Sequence, residues 1–185
     1  MEARMEDAIK EKILYRKQGI VGEHAVLLKS IARIVFGLMW AADGFFKLSP
    51  NFTITPFISH DLSGQNILFR TWYQFWYDII SPIPQFWVWV ITLTEFGLAF
   101  SLIFGFMRKV GYLSGIITSL VIWGVPEHFG GPYDSFSTNI GTGIIYAMVF
   151  LLFIIINSLE GPSRYSIDYF IEQRFHWWRL LAEFS

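Results

Sequence analysis

The sequence contains no cysteine among its 185 residues. That absence excludes disulfide bonds, thiolate zinc sites, cysteine-ligated iron–sulfur clusters and any cysteine nucleophile. The sequence also lacks a Walker phosphate-binding loop, a dinucleotide-binding fingerprint, and a pair of histidines at the spacing of a haem-binding helical bundle. We therefore do not expect the enzyme classes that depend on these motifs.

Charged residues are also scarce. They make up 16% of the chain, whereas soluble domains contain about 25%. The 14 basic residues nearly balance the 15 acidic residues, which leaves a formal net charge of −1. Proteins that bind nucleic acid through the phosphate backbone need an excess of positive charge. The charge balance therefore excludes nucleic acid as the main partner.

Apolar residues are abundant. The hydrophobic share is 54% and the aromatic share is 19%, and the mean hydropathy is +0.44. The charges cluster between long apolar runs instead of alternating with them. This pattern is typical of a small integral membrane protein, whose main partner is membrane lipid.

Four segments are long enough, or nearly long enough, to cross a bilayer, which takes about 20 mostly apolar residues. They are residues 25–48, 86–107, 110–125 and 140–157. We predict an all-α integral membrane fold, namely a four-transmembrane-helix bundle with interfacial amphipathic helices. Residues 1–24 form an N-terminal segment, residues 25–158 the membrane domain, and residues 159–185 an interfacial tail.

The distribution of basic residues predicts the orientation of the bundle. Basic residues flank one end of the predicted spans: Arg4, Lys10, Lys12, Arg16, Lys17, Arg108, Lys109, Arg164, Arg174 and Arg179. The other end has only Lys47 and Arg70. By the positive-inside rule, both termini are expected in the cytoplasm, with the protein in the cell membrane as a multi-pass protein.

Two segments outside the spans have helical apolar patterns. In the long loop 49–85, one face is formed by Leu68, Trp72, Phe75, Trp76, Ile79 and Ile80. This face indicates an interfacial helix, which is either an aromatic belt or a lid over a lipid-soluble ligand. The tail after Ser166 has a similar apolar face, opposite a more polar one with Asp168, Glu172, Arg179 and Glu183. We interpret the tail as a membrane anchor or a docking surface for a partner.

The first span has a stripe of residues that share one face of a helix: Arg33, Gly37, Trp40, Gly44 and Lys47. Glycines on such a stripe allow a neighbouring helix to approach closely. Asp43 precedes Lys47 by four residues, a spacing that favours an ion pair. One interpretation is packing glycines with Arg33 and Lys47 reaching the two membrane faces. The other is a binding site.

Glu95 lies near the middle of the second span. An ionised carboxylate at that depth costs about 2.5–3.5 kcal/mol on insertion scales, so it must face protein or water. It could relay protons, bind a quinone by a hydrogen bond, or ligate a metal. The structural alternative is a carboxylate that holds helices together.

The link between the third and fourth spans contains Glu127 and His128. With His60 and Asp61 of the long loop, these residues could bind a metal or relay a proton. Their spacing is not that of a metal motif, so no metal site is assigned. The structural alternative is an ordered turn that caps a helix.

Taken together, these motifs resemble the DoxX-like family of four-helix membrane proteins. The matching pieces are the stripe from Arg33 to Lys47, the run that begins at Glu95, the Trp-Gly-Val-Pro-Glu-His-Phe-Gly-Gly-Pro-Tyr segment 123–133, and the segment 161–168 that ends at Asp168. More specifically, the chain resembles the DoxD-type membrane subunit of thiosulfate:quinone oxidoreductases.

The resemblance implies an oxidoreductase subunit that passes electrons from an outer-face substrate, thiosulfate, to a membrane quinone, with a second protein subunit as partner. The expected catalytic residues are Glu95, Asp43, His128 and Glu127, and the expected quinone-binding residues are Trp40, Lys47 and Arg33. The alternative is a non-catalytic structural or assembly subunit of a respiratory or oxygenase complex. A transporter is a weaker third option, because four spans are few for a carrier.

Overall fold

The computed structural model describes residues 2–58, 67–130, 140–160 and 164–184, and these residues are helical with no strands. The long helices are α1 (Glu2–Phe46), α3 (Ile67–Ile80), α4 (Pro84–Phe104), α5 (Arg108–Gly124) and α6 (Thr142–Glu160). Shorter helices are α2 (Thr55–Ile58), α7 (Ile167–Arg174) and α8 (Arg179–Ala182). Single 3₁₀ turns occur at His128–Gly130 and His176–Trp178.

Three helices are long and apolar enough to cross a membrane: Gly22–Phe46, Pro84–Phe104 and Thr142–Leu159. They confirm the predicted multi-pass membrane protein and three of its predicted spans. The predicted third span corresponds to α5, which has 17 residues. At 1.5 Å per residue, α5 is about 25 Å long, which is short of the ~30 Å hydrocarbon core. The four-span count is therefore not confirmed.

The core of the bundle is aromatic. Trp40 and Phe36 of α1 pack against Phe150 of α6, and Tyr112 of α5 stacks on Phe153 with ring centroids 5.6 Å apart. Close approach of the helices depends on glycines that face these large side chains. A Cβ at Gly37 would collide with Leu102 and Ile103 of α4, as its place on the predicted stripe suggested.

A three-residue turn joins α4 to α5 and defines one end of the bundle, which we call the turn end. Gly105 ends α4 in the left-handed region (φ 62°), and its N–H donates to the carbonyl of Ser101. Met107 is also left-handed (φ 50°), and α5 begins at Arg108. The predicted second span ran to residue 107, but α4 stops at Phe104 because Gly105 reverses the chain. The opposite end, where α1 ends and α4 begins, is the loop end.

The predicted interfacial helix in the long loop exists as α3, but its buried face is rotated from the predicted one. Tyr73 and Ile80 are buried, whereas Phe75, predicted on the apolar face, is 54% exposed. The indole N–H of Trp72 donates to the carbonyl of Gly124 at 2.8 Å. Because this bond ties α3 to the end of α5, the helix packs on protein through one edge and leaves Phe75 outside.

Candidate functional site

Lys47, directly after α1, forms an ion pair with the buried Glu95 of α4. The Lys47 Nζ lies 2.8 Å from Glu95 Oε1, and the side chains are 21% and 2% exposed. The second carboxylate oxygen, Glu95 Oε2, is buried without a hydrogen-bond partner among the described residues. A carboxylate with one open oxygen can still accept a hydrogen bond or a proton.

A cavity of about 180 Å³ opens beside this pair at the loop end. Its walls include Lys47 and Phe52 on one side, and Gln85, Trp89 and Thr92 on the other. Glu95 lies one helical turn beyond Thr92 and behind the Lys47 ammonium group. The cavity wall therefore contains apolar side chains and the Lys47 side chain, and the carboxylate of Glu95 contacts the ammonium group of Lys47.

Two other predicted residues of α1 lie near this pair without lining the cavity. Trp40 is buried in the aromatic core, with its ring centroid 5.7 Å from that of Tyr146 and 5.8 Å from that of Phe150. Asp43 is half-buried, and its backbone carbonyl accepts a hydrogen bond from Lys47 Nζ at 3.4 Å. Lys47 thus pairs with the carboxylate of Glu95, and its contact with Asp43 is to the backbone.

Glu127 lies at the start of α6. Its Oε2 accepts a hydrogen bond from the Gly143 N–H at 2.8 Å, and its Oε1 accepts one from the Thr142 hydroxyl. The first N–H groups of a helix have no partner within the helix and attract negative charge. The geometry is therefore that of a cap on α6, which was the structural alternative for this residue.

His128 packs against α3. Its ring meets Tyr73 edge to face, with centroids 4.9 Å apart. Burial raises the pKa of Tyr73 to about 12, so this phenol stays protonated at neutral pH. His60 and Asp61, the predicted companions of His128, lie outside the described residues. Among the residues that are described, no group of three His, Cys, Asp or Glu side chains could hold a metal ion.

Arg33, a predicted quinone-binding residue, lies at the turn end. It is 13 residues from Phe46, the last residue of α1, which is about 20 Å along the helix. Its side chain is buried, and Nη2 donates to the carbonyl of Tyr165 at 2.6 Å. A Cβ at Gly105 would collide with this guanidinium. The structure thus separates Arg33 from the other predicted site residues and places it beside the C-terminal tail.

The turn end contains a second set of buried charges, the Arg108 cluster, which the sequence analysis missed. It comprises Arg108, Asn157, Asp168, Glu172 and Glu183, all buried. Arg108 donates from Nε to Asp168 Oδ2 at 3.0 Å and from Nη1 to Asn157 Oδ1 at 3.0 Å. Its Nη2 contacts Glu183 and lies 3.5 Å from Glu172 Oε1. Asn157 donates in turn to Glu183 Oε2 at 3.0 Å.

Asp168 also caps α5. Its two carboxylate oxygens accept the N–H groups of Met107 at 2.8 Å and Arg108 at 3.0 Å. The indole N–H of Trp178 donates to the same carboxylate at 2.8 Å. Asp168 of the tail is therefore bound to the start of α5 by backbone N–H groups and by the Arg108 side chain.

Within the Arg108 cluster, Glu172 has a raised pKa. Burial, followed by the neighbouring charge of Glu183, raises the pKa of Glu172 to about 7. Three carboxyl groups face one guanidinium here, so a raised pKa for one of them relieves their mutual repulsion.

The sequence did contain a sign of the Arg108 cluster. Asp168 and Glu172 are spaced i, i+4 and so share one helix face, which the sequence pattern indicated only as the more polar face of the tail. Arg108 was interpreted as a flanking charge that sets orientation. A one-dimensional pattern cannot distinguish a solvated acidic face from one that meets a buried cation, because both have the same spacing.

Comparison with known families gives a match over much of the chain. Residues 28–127 match the family model described as DoxX, which is more than half of the chain. The matched part includes Lys47, Glu95 and Arg108, whereas the three acids of the Arg108 cluster lie beyond it. No curated protein and no solved structure matches the chain.

Proposed function

The chain belongs to the DoxX family, and from this premise we propose that it is a membrane subunit of a quinone-linked oxidoreductase. In this proposal, electrons from a substrate at the outer face reduce a membrane quinone. The resemblance to DoxD-type subunits makes thiosulfate the proposed substrate and a second protein subunit the proposed partner. Reduction of a quinone to a quinol takes two electrons and two protons, so the site must deliver protons into the membrane.

The observation that carries this proposal is the Lys47–Glu95 pair beside the cavity. Glu95 Oε2 has no hydrogen-bond partner among the described residues, and Lys47 holds the other oxygen at 2.8 Å. Glu95 would transfer a proton through Oε2, while the Lys47 ammonium stabilises negative charge that develops on a reduced quinone oxygen. Trp89 and Phe52 would provide the apolar wall for the ring.

The proposal includes the fourth span and the orientation. The turn Gly105–Met107 sends the chain back along the bundle, and α5 packs along α6. Its exposed residues Val110, Leu113, Ile117 and Leu120 are apolar, as expected for a lipid-facing stripe. We infer that α5 crosses the membrane as a short span and that the basic turn end is cytoplasmic.

The decisive experiment replaces Glu95 by Gln in membranes that contain the complete complex, and measures quinone reduction. We expect a loss of turnover of at least about 100-fold, in the range for removal of a general acid. Glu23→Gln is the matched control, because Glu23 is an exposed acid of α1, and it should leave turnover unchanged. Wild-type turnover in Glu95→Gln would contradict the proton-transfer role.

The second candidate, a non-catalytic assembly subunit, is favoured by a different observation. The C-terminal tail exposes large apolar side chains, among them Phe170, Trp177 and Leu180, which suit contact with another component. Purification in mild detergent distinguishes the candidates. A stoichiometric large partner whose activity survives Glu95→Gln supports the assembly role, whereas a loss of quinone reduction with the complex intact supports the catalytic role.

A further inference from the structure

In the described part of the C-terminal tail, the acidic residues are buried and the arginines are exposed. All three acidic residues between 164 and 184, namely Asp168, Glu172 and Glu183, are buried in the Arg108 cluster. The three arginines of the same segment, Arg164, Arg174 and Arg179, are exposed. Of these, Arg179 has only a long contact with an acid, 3.9 Å to Glu172. The acids face Arg108 in the interior, and the charges that the described tail exposes are therefore positive.

Large apolar side chains lie beside these arginines. Phe170, Trp177 and Leu180 are 65%, 59% and 72% exposed. A surface that combines arginine with exposed aromatic and aliphatic residues is the composition of helices that lie in the headgroup region of a bilayer. A tail that merely stayed in solvent would have no need of so much exposed apolar surface.

The tail is also at the right place in the fold for contact with lipid. Phe106, in the turn after α4, packs against Trp178 with ring centroids 5.4 Å apart. Phe106 also contacts Phe100, which together with Phe104 forms the exposed apolar end of α4. The tail surface is thus continuous with the apolar surface of a membrane-spanning helix.

We propose that residues 164–182 form a binding surface for anionic phospholipids, in which Arg164, Arg174 and Arg179 bind the phosphate groups and Phe170, Trp177 and Leu180 insert between the lipids. Guanidinium groups bind phosphate by charge-assisted hydrogen bonds. The burial of the acids in the Arg108 cluster is what makes the surface selective, because exposed carboxylates would repel the same headgroups. This inference does not depend on the proposed redox activity.

The test uses the full-length protein in nanodiscs of phosphatidylcholine with increasing fractions of phosphatidylglycerol. Backbone hydrogen exchange of residues 164–182 reports lipid contact. We expect protection to increase with the phosphatidylglycerol fraction. The double variant Arg174→Gln/Arg179→Gln should lower the apparent affinity for phosphatidylglycerol by about fivefold per arginine removed.

Two further variants distinguish an effect of the positive charge of the tail from an effect of altered folding. The double variant Arg174→Lys/Arg179→Lys keeps both positive charges and should retain most of the lipid response. Arg70→Gln removes an exposed charge from α3 and should leave the response unchanged. Equal protection in both lipids would overturn the proposal. So would protection that appears only when a second protein is bound, since the surface would then be a protein interface.

Discussion

Among the described residues, the Arg108 cluster and the Lys47–Glu95 pair differ in how completely their buried charge is paired. Around Arg108, Asp168 and Asn157 contact the guanidinium at hydrogen-bond distance and two glutamates complete the cluster. Between α1 and α4, Lys47 contacts one oxygen of Glu95 and leaves the other without a partner among the described residues. The Lys47–Glu95 pair also borders a cavity of about 180 Å³.

This difference separates a structural role from a chemical role. A buried cation whose donors are all engaged holds elements together and has no free group to offer a substrate. A buried carboxylate with one unpartnered oxygen, paired to a cation that lines a cavity, can still take part in binding or proton transfer. The Arg108 cluster joins the tail to the bundle, and the Lys47–Glu95 pair is the candidate site.

The largest effect is expected for Arg108→Leu. This change leaves three buried carboxyl groups without their cation, and breaking such a cluster costs about 3–5 kcal/mol. The free energy of unfolding in detergent should fall by that amount. The control is Lys109→Leu, because Lys109 is half-buried and its ammonium group lies only over the ring of Phe184, at 5.6 Å. A loss of less than about 1 kcal/mol for Arg108→Leu would contradict the structural role.

The next effect is a pH dependence of the Arg108 cluster. Glu172, with a pKa raised from 4.5 to about 7, binds its proton more tightly in the folded protein than in the unfolded chain. The stability it contributes is therefore present below about pH 4.5 and is lost as the pH rises to about 7. The groups that face it are Asp168 and Glu183, which disfavour its charge, and Arg108 and Arg179, which favour it.

Comparison with Glu172→Gln isolates this titration from all others. The two proteins should be equally stable near pH 4.5, and the variant should become the more stable one as the pH rises through 7. The difference should stay below the effect of Arg108→Leu, because only one carboxyl changes its charge. Thermal unfolding across this pH range measures it. A wild-type protein that gains stability relative to the variant as the pH rises would reverse the sign and contradict the assignment.

A smaller loss is expected at the other pair. Lys47→Met leaves the Glu95 carboxylate buried without its cation, which should lower the free energy of unfolding by about 1–3 kcal/mol. The double variant Lys47→Met/Glu95→Gln removes both charges and should recover most of that loss. A double-mutant cycle in detergent measures the coupling. Additive losses would show that the two side chains do not interact in the membrane protein.

The sequence pattern predicted most of the helices because apolar runs and their flanking charges are local features. Glu95 was recognised as significant for the same reason, since a lone acid in an apolar run is visible without a structure. The partner of Lys47 was not recognised from the sequence: Asp43 is the acid nearest to it along the chain, but α4 brings Glu95 into contact with the ammonium group. Pairing across helices depends on their rotation and register, which a single helix does not encode.

The Arg108 cluster could not be predicted for a related reason. Asp168 and Glu172 lie about 60 residues beyond Arg108 in the chain, and only the fold of the tail across the turn end brings them together. Likewise, the apolar residues of α3 predicted a helix, but its hydrogen bond from Trp72 to Gly124 determines which face is buried. These features arise from tertiary contacts.

The smallest expected effect is at Glu127, a residue predicted to be catalytic whose geometry is that of a cap. Glu127→Gln removes the negative charge at the start of α6 but retains one oxygen that can accept the Gly143 N–H. Loss of a cap costs about 1 kcal/mol, so thermal stability should fall slightly. Quinone reduction by the stable complex should remain near wild type, in contrast to Glu95→Gln. Asp78→Asn, which alters an exposed acid bonded to Gln74, is the matched control. A loss of turnover in Glu127→Gln at unchanged stability would show that Glu127 is catalytic. A fully hydrogen-bonded carboxylate would then have a chemical role, and complete pairing could no longer be used to assign a structural role.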